Sequence, residues 1–270
     1  EIVVVDNGSV DGSCEVIKGL KDVVVVELES NCGFAKACNI GAGNCKSPYV
    51  LFLNPDTKIY ENCFNEIFRY LKNECSEDIA VIGVKIKDDN QQVQRRCAYF
   101  PTWRTYVGMV TGLNYIIPKI FPNHFMSDFD HLQSRSVDQV IGAFFLVNNE
   151  VYKRLGGFDE KFFVYYEEVD FCYRAKKQNY RTWYLSSASI YHKGGGLSEK
   201  VKAERLFYSL RSRLIYAKKH FSGIGYSITV FVTMIIEPII RVMYSLIRNN
   251  PRDVCDIAKG YYMLYVARSR

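Results

Sequence analysis

The stretch Ile2-Val3-Val4-Val5-Asp6-Asn7-Gly8-Ser9 opens the chain with a run of β-branched residues that stops at an acid and a turn. A short, unbroken apolar run bounded in this way reads as a strand buried on both faces of a parallel sheet. The turn feeds a helix over residues 13–20, capped by Asp11 or Ser13. The rhythm then repeats. Residues 23–28 are a second apolar run, residues 34–45 read as a helix behind Asn31-Cys32-Gly33, and residues 49–53 are a third strand closing on Asn54-Pro55-Asp56-Thr57. A helix over residues 62–72 and a strand over 79–86 follow. Strand and helix in alternation imply right-handed crossovers and a mainly parallel sheet flanked by helices, an α/β fold. Ligands of such sheets sit beyond the carboxyl ends of the strands, where Asp6 and Asp56 both fall.

From 88 to 137 the pattern weakens around Gln91-Gln92, Arg95-Arg96 and three prolines, which reads as an irregular acceptor-binding or lid region. Order returns with a strand over residues 140–147 and a short helix over 150–155. Strands over 182–185 and 189–191 then deliver His192 to the glycines at 194–196. Residues 1–197 are therefore expected as one α/β domain, and residues 198–270 as a basic and amphipathic helical region.

Between these strands lies Val164-Tyr165-Tyr166-Glu167-Glu168-Val169-Asp170-Phe171-Cys172-Tyr173-Arg174. Three carboxylates in four positions repel one another, so at least one is expected to hold its proton more tightly than usual. Such a cluster suits a general base, a metal ligand, or both. The plain alternative is an acidic first turn of a helix running to about residue 177. Arg174, one turn beyond Asp170, is placed to pair with it. Asp56 is held in one orientation by Pro55 and, beside Asn54 and Thr57, suits a hard cation bridging a diphosphate, although Asn-Pro-Asp is also ordinary turn chemistry. His192 fits a metal ligand, a contact to a leaving phosphate, or a structural histidine. Asp6 fits a hydrogen bond to a nucleotide or a helix cap.

The bulk numbers bound the rest. The chain has 270 residues, 48% of them hydrophobic and 24% charged, with a net charge of +6. Between residues 200 and 220 there are seven Lys or Arg against Glu204 alone. No aromatic-and-basic ribbon accompanies them, so a membrane surface is expected as partner and nucleic acid is not. Residues 221–247 carry only Glu237 and Arg241 as charges, and their longest uncharged run is 16 residues. That falls short of the roughly 20 needed to span a bilayer, and Pro238 is expected to break or kink the helix. An interfacial helix pair follows, against the alternative of a helix packed on the domain or on a second subunit. Nine scattered cysteines without Cys-x-x-Cys spacing imply reduced thiols in a cytosol.

Taken in order, Asp6-Asn7-Gly8-Ser9-x-Asp11-Gly12-Ser13, Asn31-x-Gly33-Phe34-Ala35, Leu53-Asn54-Pro55-Asp56, Gly156-Gly157-Phe158-Asp159-Glu160-x-Phe162-Phe163, Glu167-Glu168-x-Asp170-x-x-x-Arg174 and His192 resemble a family 2 glycosyltransferase of the rhamnosyltransferase-like branch. The resemblance spans roughly residues 1–220. It implies a GT-A fold, Rossmann-like in plan, with an inverting, metal-dependent transfer from a dTDP- or UDP-sugar donor, the Asn54-Pro55-Asp56-Thr57 form leaning towards dTDP-rhamnose by that analogy. It also implies Mg²⁺ or Mn²⁺ held by Asp56 and His192, and donor contacts from Asp6, Asn7, Asn31, Gly33, Asn54 and Asp56. Glu168 takes the position of the general base, with Glu167 and Asp170 as tuning or alternative acids, because relatives carry Asp where Glu168 stands. The acceptor implied is a cell-surface polysaccharide or lipid-linked glycan at the cytoplasmic face of the membrane, and a homo-oligomer is compatible with it. Relatives begin with a further apolar strand, so the resemblance also implies that a first strand is missing here.

Two other readings stay open. An N-terminally truncated, inactive relative would act in binding or scaffolding. A nucleotidyltransferase would share the sheet and metal chemistry, but it needs a basic, phosphate-cradling loop after the first strand, and residues 6–13 contain no Lys or Arg.

Overall fold

The computed structural model describes residues 1–193 and 201–269. The glycines at 194–196 and the first residues of the expected basic helix lie outside the described residues. The chain divides into two compact units, one of Glu1–Gln94 with His131–His192, the other of Arg95–Asp130 with Lys193–Arg270.

In the first unit, β1 (Ile2–Asp6) and β2 (Val23–Glu27) pair in parallel across α1 (Ser13–Lys18), as the β-branched runs foretell. After α2 (Phe34–Gly43) come β3 (Tyr49–Leu53), β4 (Thr57–Ile59), α3 (Cys63–Asn73) and β5 (Ile79–Lys87). From the second unit, α4 (Trp103–Thr111) and α5 (Leu113–Ile116) intervene in sequence. The first unit then resumes with β6 (Arg135–Val137), β7 (Phe144–Asn148), α6 (Asn149–Arg154), α7 (Glu167–Lys177) and β8 (Arg181–His192). A six-stranded sheet has the order β3-β7-β5-β8-β4, with β6 also on β8.

The α/β class with flanking helices is the one expected, but the pairing is not mainly parallel. Among the described residues only β1–β2 and β5–β8 run parallel; β3–β7, β5–β7, β4–β8 and β6–β8 are antiparallel. An apolar run reports that a strand is buried and says nothing of its direction. The burial expected for β1 also needs correction. Only Asp6 is buried there, and Ile2 is 59% exposed, because two strands offer too few neighbours to cover both faces.

Five aromatic rings tie the back of α7 to the sheet. Phe158 lies between Phe52 (centroids 5.0 Å apart), Tyr152 (5.4 Å) and Phe171 (5.8 Å), and Phe145 meets Phe171 edge-on at 5.9 Å. Edge-to-face contacts of this kind contribute beyond the area they bury. They fix the rotation of α7, and with it the direction of its first-turn acids.

In the second unit, the stretch read as irregular contains α4, which starts at a capping box. Thr102 Oγ1 accepts from the Thr105 N–H (3.2 Å) and Thr105 Oγ1 from the Thr102 N–H (3.1 Å). After α8 (Lys202–His220) the chain runs through α9 (Gly223–Phe231), a π-turn (Val232–Ile236) and α10 (Glu237–Ile247) before α11 (Pro251–Ser269). Pro238 does not break this helix, which is continuous over Gly223–Ile247. A proline deprives the carbonyl four residues back of its donor. Here the Tyr265 hydroxyl donates to the Met234 carbonyl at 2.8 Å, and the π-turn absorbs the ring. Buried Glu237 is gripped by Arg213 and, at 2.6 Å, by Arg241. Phe207, Leu210 and Leu214 of α8 pack with Ile257, Tyr261 and Leu264 of α11.

Tyr265→Phe removes the donor that replaces the missing proline N–H. It is expected to destabilise the protein by about 1 kcal/mol, read as a lower urea midpoint with an unchanged slope.

Candidate active site

The end of β1 is tied to the loop before α2 by side-chain amides. Asn7 Oδ1 accepts from the Cys32 N–H (2.9 Å), and Asn7 Nδ2 donates to Asn31 Oδ1 (3.0 Å) and to the Gly33 carbonyl (3.3 Å). Asn31 Oδ1 also accepts from the Gly33 N–H (3.0 Å). Asp6 is buried, and its Oδ2 accepts from the Ser9 N–H (3.2 Å). The structure thus brings Asp6, Asn7, Asn31 and Gly33 together, with both amides engaged in shaping the loop.

That loop touches the acidic segment directly. The Phe34 N–H donates to the Phe163 carbonyl at 2.6 Å. Gly33 has φ +91°, and a Cβ there would stand 2.6 Å from the same carbonyl oxygen. Only glycine permits both the angle and the approach. Three residues after Phe163, the backbone enters the left-handed region at Tyr166 (φ 74°), as it does at Tyr165 (φ 69°). Two bulky residues in that conformation store strain immediately before the acids, a feature that collects at functional sites.

Glu167 and Glu168 open α7. Burial, and then the charge of Glu168, push the Glu167 carboxyl well above the usual range. Burial also raises Glu168, against the backbone N–H groups of Glu168, Val169 and Gly142 that favour its ionised form. Glu167 Oε2 and Glu168 Oε2 are both shielded from solvent without a hydrogen-bond partner. An unpartnered buried carboxylate oxygen is costly unless a donor arrives. Cys38 of α2 lies close enough that, after burial, both glutamates raise its thiol.

Asp170 has a different situation. It is fully buried, and its Oδ2 accepts from Arg174 Nε at 2.7 Å. The same guanidinium donates through Nη1 to the Leu155 carbonyl (2.6 Å) and through Nη2 to the Gly157 carbonyl (2.7 Å). Its charge is matched and no surface is open to an incoming hydroxyl, so the arrangement anchors the turn at residues 155–157 to α7. Asn39 holds the other side of that turn, accepting from Tyr152 Oη (2.6 Å) and the Phe158 N–H (2.9 Å).

Asp56 and His192 meet at the β4–β8 pairing, where Thr57 faces His192 in register. His192 Nε2 lies 3.2 Å from Asp56 Oδ1. Asn54 ends the preceding strand side, and its carbonyl accepts from Thr57 Oγ1 at 2.7 Å, closing the turn that presents Asp56. Among the described residues no three His, Cys, Asp or Glu side chains converge on one point. One carboxylate with one imidazole still fits Mg²⁺ or Mn²⁺ in a site completed by diphosphate oxygens and water. Phe163 and Arg174's carbonyl contacts carried no motif of their own, since backbone oxygens are what they use or offer.

The sequence model of Glycosyl transferase family 2 matches residues 1–156. The N-acetylglucosaminyl-diphospho-decaprenol L-rhamnosyltransferase of Mycobacterium tuberculosis is 22% identical over 240 residues, covering 82% of this chain and 76% of its own length. Haloferax volcanii has a low-salt glycan biosynthesis hexosyltransferase, Agl10, that is 26% identical over 185 residues. This match covers 66% of the chain and 54% of that protein, so the chain spans about half of it. Among solved structures, the mannosyltransferase PcManGT of Pyrobaculum calidifontis with GDP-Man and Mn²⁺ superposes with a TM-score of 0.51 at 15% identity, over 100% of this chain and 66% of that one. GalNAc-T7 with UDP, GalNAc and Mn²⁺ gives 0.51 at 15% identity, over 81% of this chain and 44% of that one. The fold is therefore that of the GT-A glycosyltransferases.

A carboxyl whose folded pKa is raised favours the folded state most below its unfolded pKa, and that support is lost as pH rises through the folded value. Glu167→Gln mimics the protonated form. The variant is expected to melt above the wild type at pH 8, with the gap closing as the pH falls towards the ordinary glutamate range near 4.5, measured by thermal melts across pH.

Proposed function

The chain belongs to glycosyl transferase family 2, and from that membership we propose that it moves a sugar, with inversion, from a nucleotide-sugar donor to a lipid-linked or cell-surface glycan. The observation that carries this reading is the Glu167–Glu168 pair, the first buried and the second half-buried, with one solvent-shielded, unpartnered oxygen on each residue. A hydroxyl is the donor such oxygens lack. The preferred donor is dTDP-rhamnose, a choice supported by the likeness to an N-acetylglucosaminyl-diphospho-decaprenol L-rhamnosyltransferase, whose name also points to a lipid-linked acceptor. We place the protein at the cytoplasmic face of the membrane, where a lipid-linked acceptor is met.

In the transfer, the acceptor oxygen attacks the anomeric carbon from the face opposite the diphosphate. Its proton passes to Glu168, which must lie within about 3 Å of that oxygen. The carbon–oxygen bond to the nucleoside diphosphate breaks, and the electron pair leaves with the diphosphate. Glu167 holds its own proton and keeps a second negative charge away from Glu168. Asp6, with the loop shaped by Asn7, Asn31 and Gly33, borders the nucleotide, and Asn54 lies beside the turn that presents Asp56. Asp56 and His192 would hold Mg²⁺ or Mn²⁺, which when bound neutralises charge on the diphosphate. The Gly33–Phe163 approach keeps the donor loop and the base in fixed relation, which in-line attack requires.

Calorimetric titration with dTDP and UDP, with and without Mg²⁺ or Mn²⁺, tests the donor site. Metal-dependent binding is expected in the wild type and lost in Asp56→Ala. Glu168→Gln is expected to bind nucleotide as the wild type does and to transfer sugar to an N-acetylglucosaminyl-diphospho-lipid about 10²–10⁴-fold more slowly. Full transfer by Glu168→Gln would remove the base from this residue.

A further inference from the structure

The helix Gly223–Ile247 is built inside out. Its buried positions include Gly225, Thr229, Thr233, Glu237 and Ser245, small or polar residues at spacings of four and eight; Val232 and Met234 are the apolar exceptions. Their polar groups find partners within the unit. Thr229 Oγ1 donates to the Gly225 carbonyl at 2.8 Å, and Glu237 binds Arg213 and Arg241. Turned outward instead are Ile224, Phe231, Ile235, Ile239, Met243 and Ile247, each 46% to 79% exposed. In its most apolar stretch only 28% is buried. A helix that borders water carries its apolar stripe inward. Small and polar residues turned to protein, with aliphatic ones turned away from it, suit a helix whose outer neighbour is hydrocarbon.

Charge identifies that neighbour. The second unit carries eighteen Lys and Arg against seven Asp and Glu, a net +11, whereas the first carries seventeen against twenty-two, a net −5. Lys218 and Lys219 precede the helix, and Arg248 and Arg252 follow it. A spanning helix collects its cations at one end. Cations at both ends suit two ends at the same headgroup level. A second copy would set one +11 unit against another, which opposes association.

We propose that the helix Gly223–Ile247 lies in the plane of an anionic membrane, its Ile/Phe/Met stripe in the acyl boundary and its flanking cations at lipid phosphates. The inference deepens the membrane location proposed above and does not depend on the transfer chemistry. The test is co-sedimentation of the full chain with vesicles of phosphatidylcholine, alone or mixed with phosphatidylglycerol. The wild type is expected to pellet with the mixed vesicles, less so in high salt. The exposed-face variant Ile235→Asp/Ile239→Asp is expected to bind more than about tenfold less tightly, with an unchanged circular dichroism spectrum. Undiminished binding by that folded variant would overturn the proposal. So would a wild type that ignores vesicles but forms a dimer the double variant dissociates. Arg248→Ala/Arg252→Ala supplies an arm that leaves the stripe intact; it is expected to weaken binding to mixed vesicles alone. Alkaline carbonate is expected to release the protein from membranes of producing cells, and release by detergent only would show a span and overturn the in-plane placement.

Discussion

The Arg174 guanidinium holds the first unit in working order. Its three donors reach the fully buried Asp170 and the carbonyls of Leu155 and Gly157. One planar fork thus fixes the glycine turn, the axis of α7 and the position of the acids one turn earlier. A lysine has one point charge and no such geometry. Removing one partner from a buried ion pair costs about 3–5 kcal/mol, because the other charge remains without compensation. The aromatic rings behind α7 set its rotation, and the fork sets its position along the axis.

On that support the protein keeps two carboxylates in a place that disfavours charge. Glu167, buried, and Glu168, half-buried beside it, cannot both ionise readily. The backbone N–H groups of Val169 and Gly142 favour the charge on Glu168 and leave Glu167 as the better proton holder. Two chemically identical groups are thus both raised, Glu167 further than Glu168, by environment alone. The left-handed Tyr165 and Tyr166 add strain to the same few residues, and the Phe34 N–H bond to Phe163 joins them to the loop before α2. Stability is spent where geometry is needed.

Much of this was legible in the sequence. The β-branched run ending in Asp6, the helix beginning at Glu167 and the Asp170–Arg174 spacing each rest on local rules, and each stands in the structure. The pairing of Asp56 with His192 was implied by the family resemblance alone; the short strand β4 that brings them to 3.2 Å left no readable pattern. Strand direction was not legible. Residues 144–148 read as a buried strand either way, and only the sheet shows β7 running antiparallel between β3 and β5. Backbone contacts left no mark: the Phe163 carbonyl that receives the Phe34 N–H is common to every residue type. Pro238 does not end the helix because Tyr265, 31 residues from Met234, supplies the donor that a helix alone would lack.

The departures from local rules have a common cause. A buried acid pair with vacant acceptors and a helix with its apolar side outward both look unfavourable when the chain is weighed alone in water. In the function and membrane placement proposed above, each finds its complement, a hydroxyl at the carboxylates and hydrocarbon at the helix. A polar group left unsatisfied inside, or an apolar face left uncovered outside, is retained when a partner completes it. The charge split between the units follows the same logic. Net negative charge accompanies the unit that carries Glu167, Glu168 and Asp56, and net positive charge the unit that carries the outward-facing apolar helix, as the proposed cation and lipid partners would require. The conflicts between sequence and local rule therefore say less about how the chain folds than about what it meets once folded.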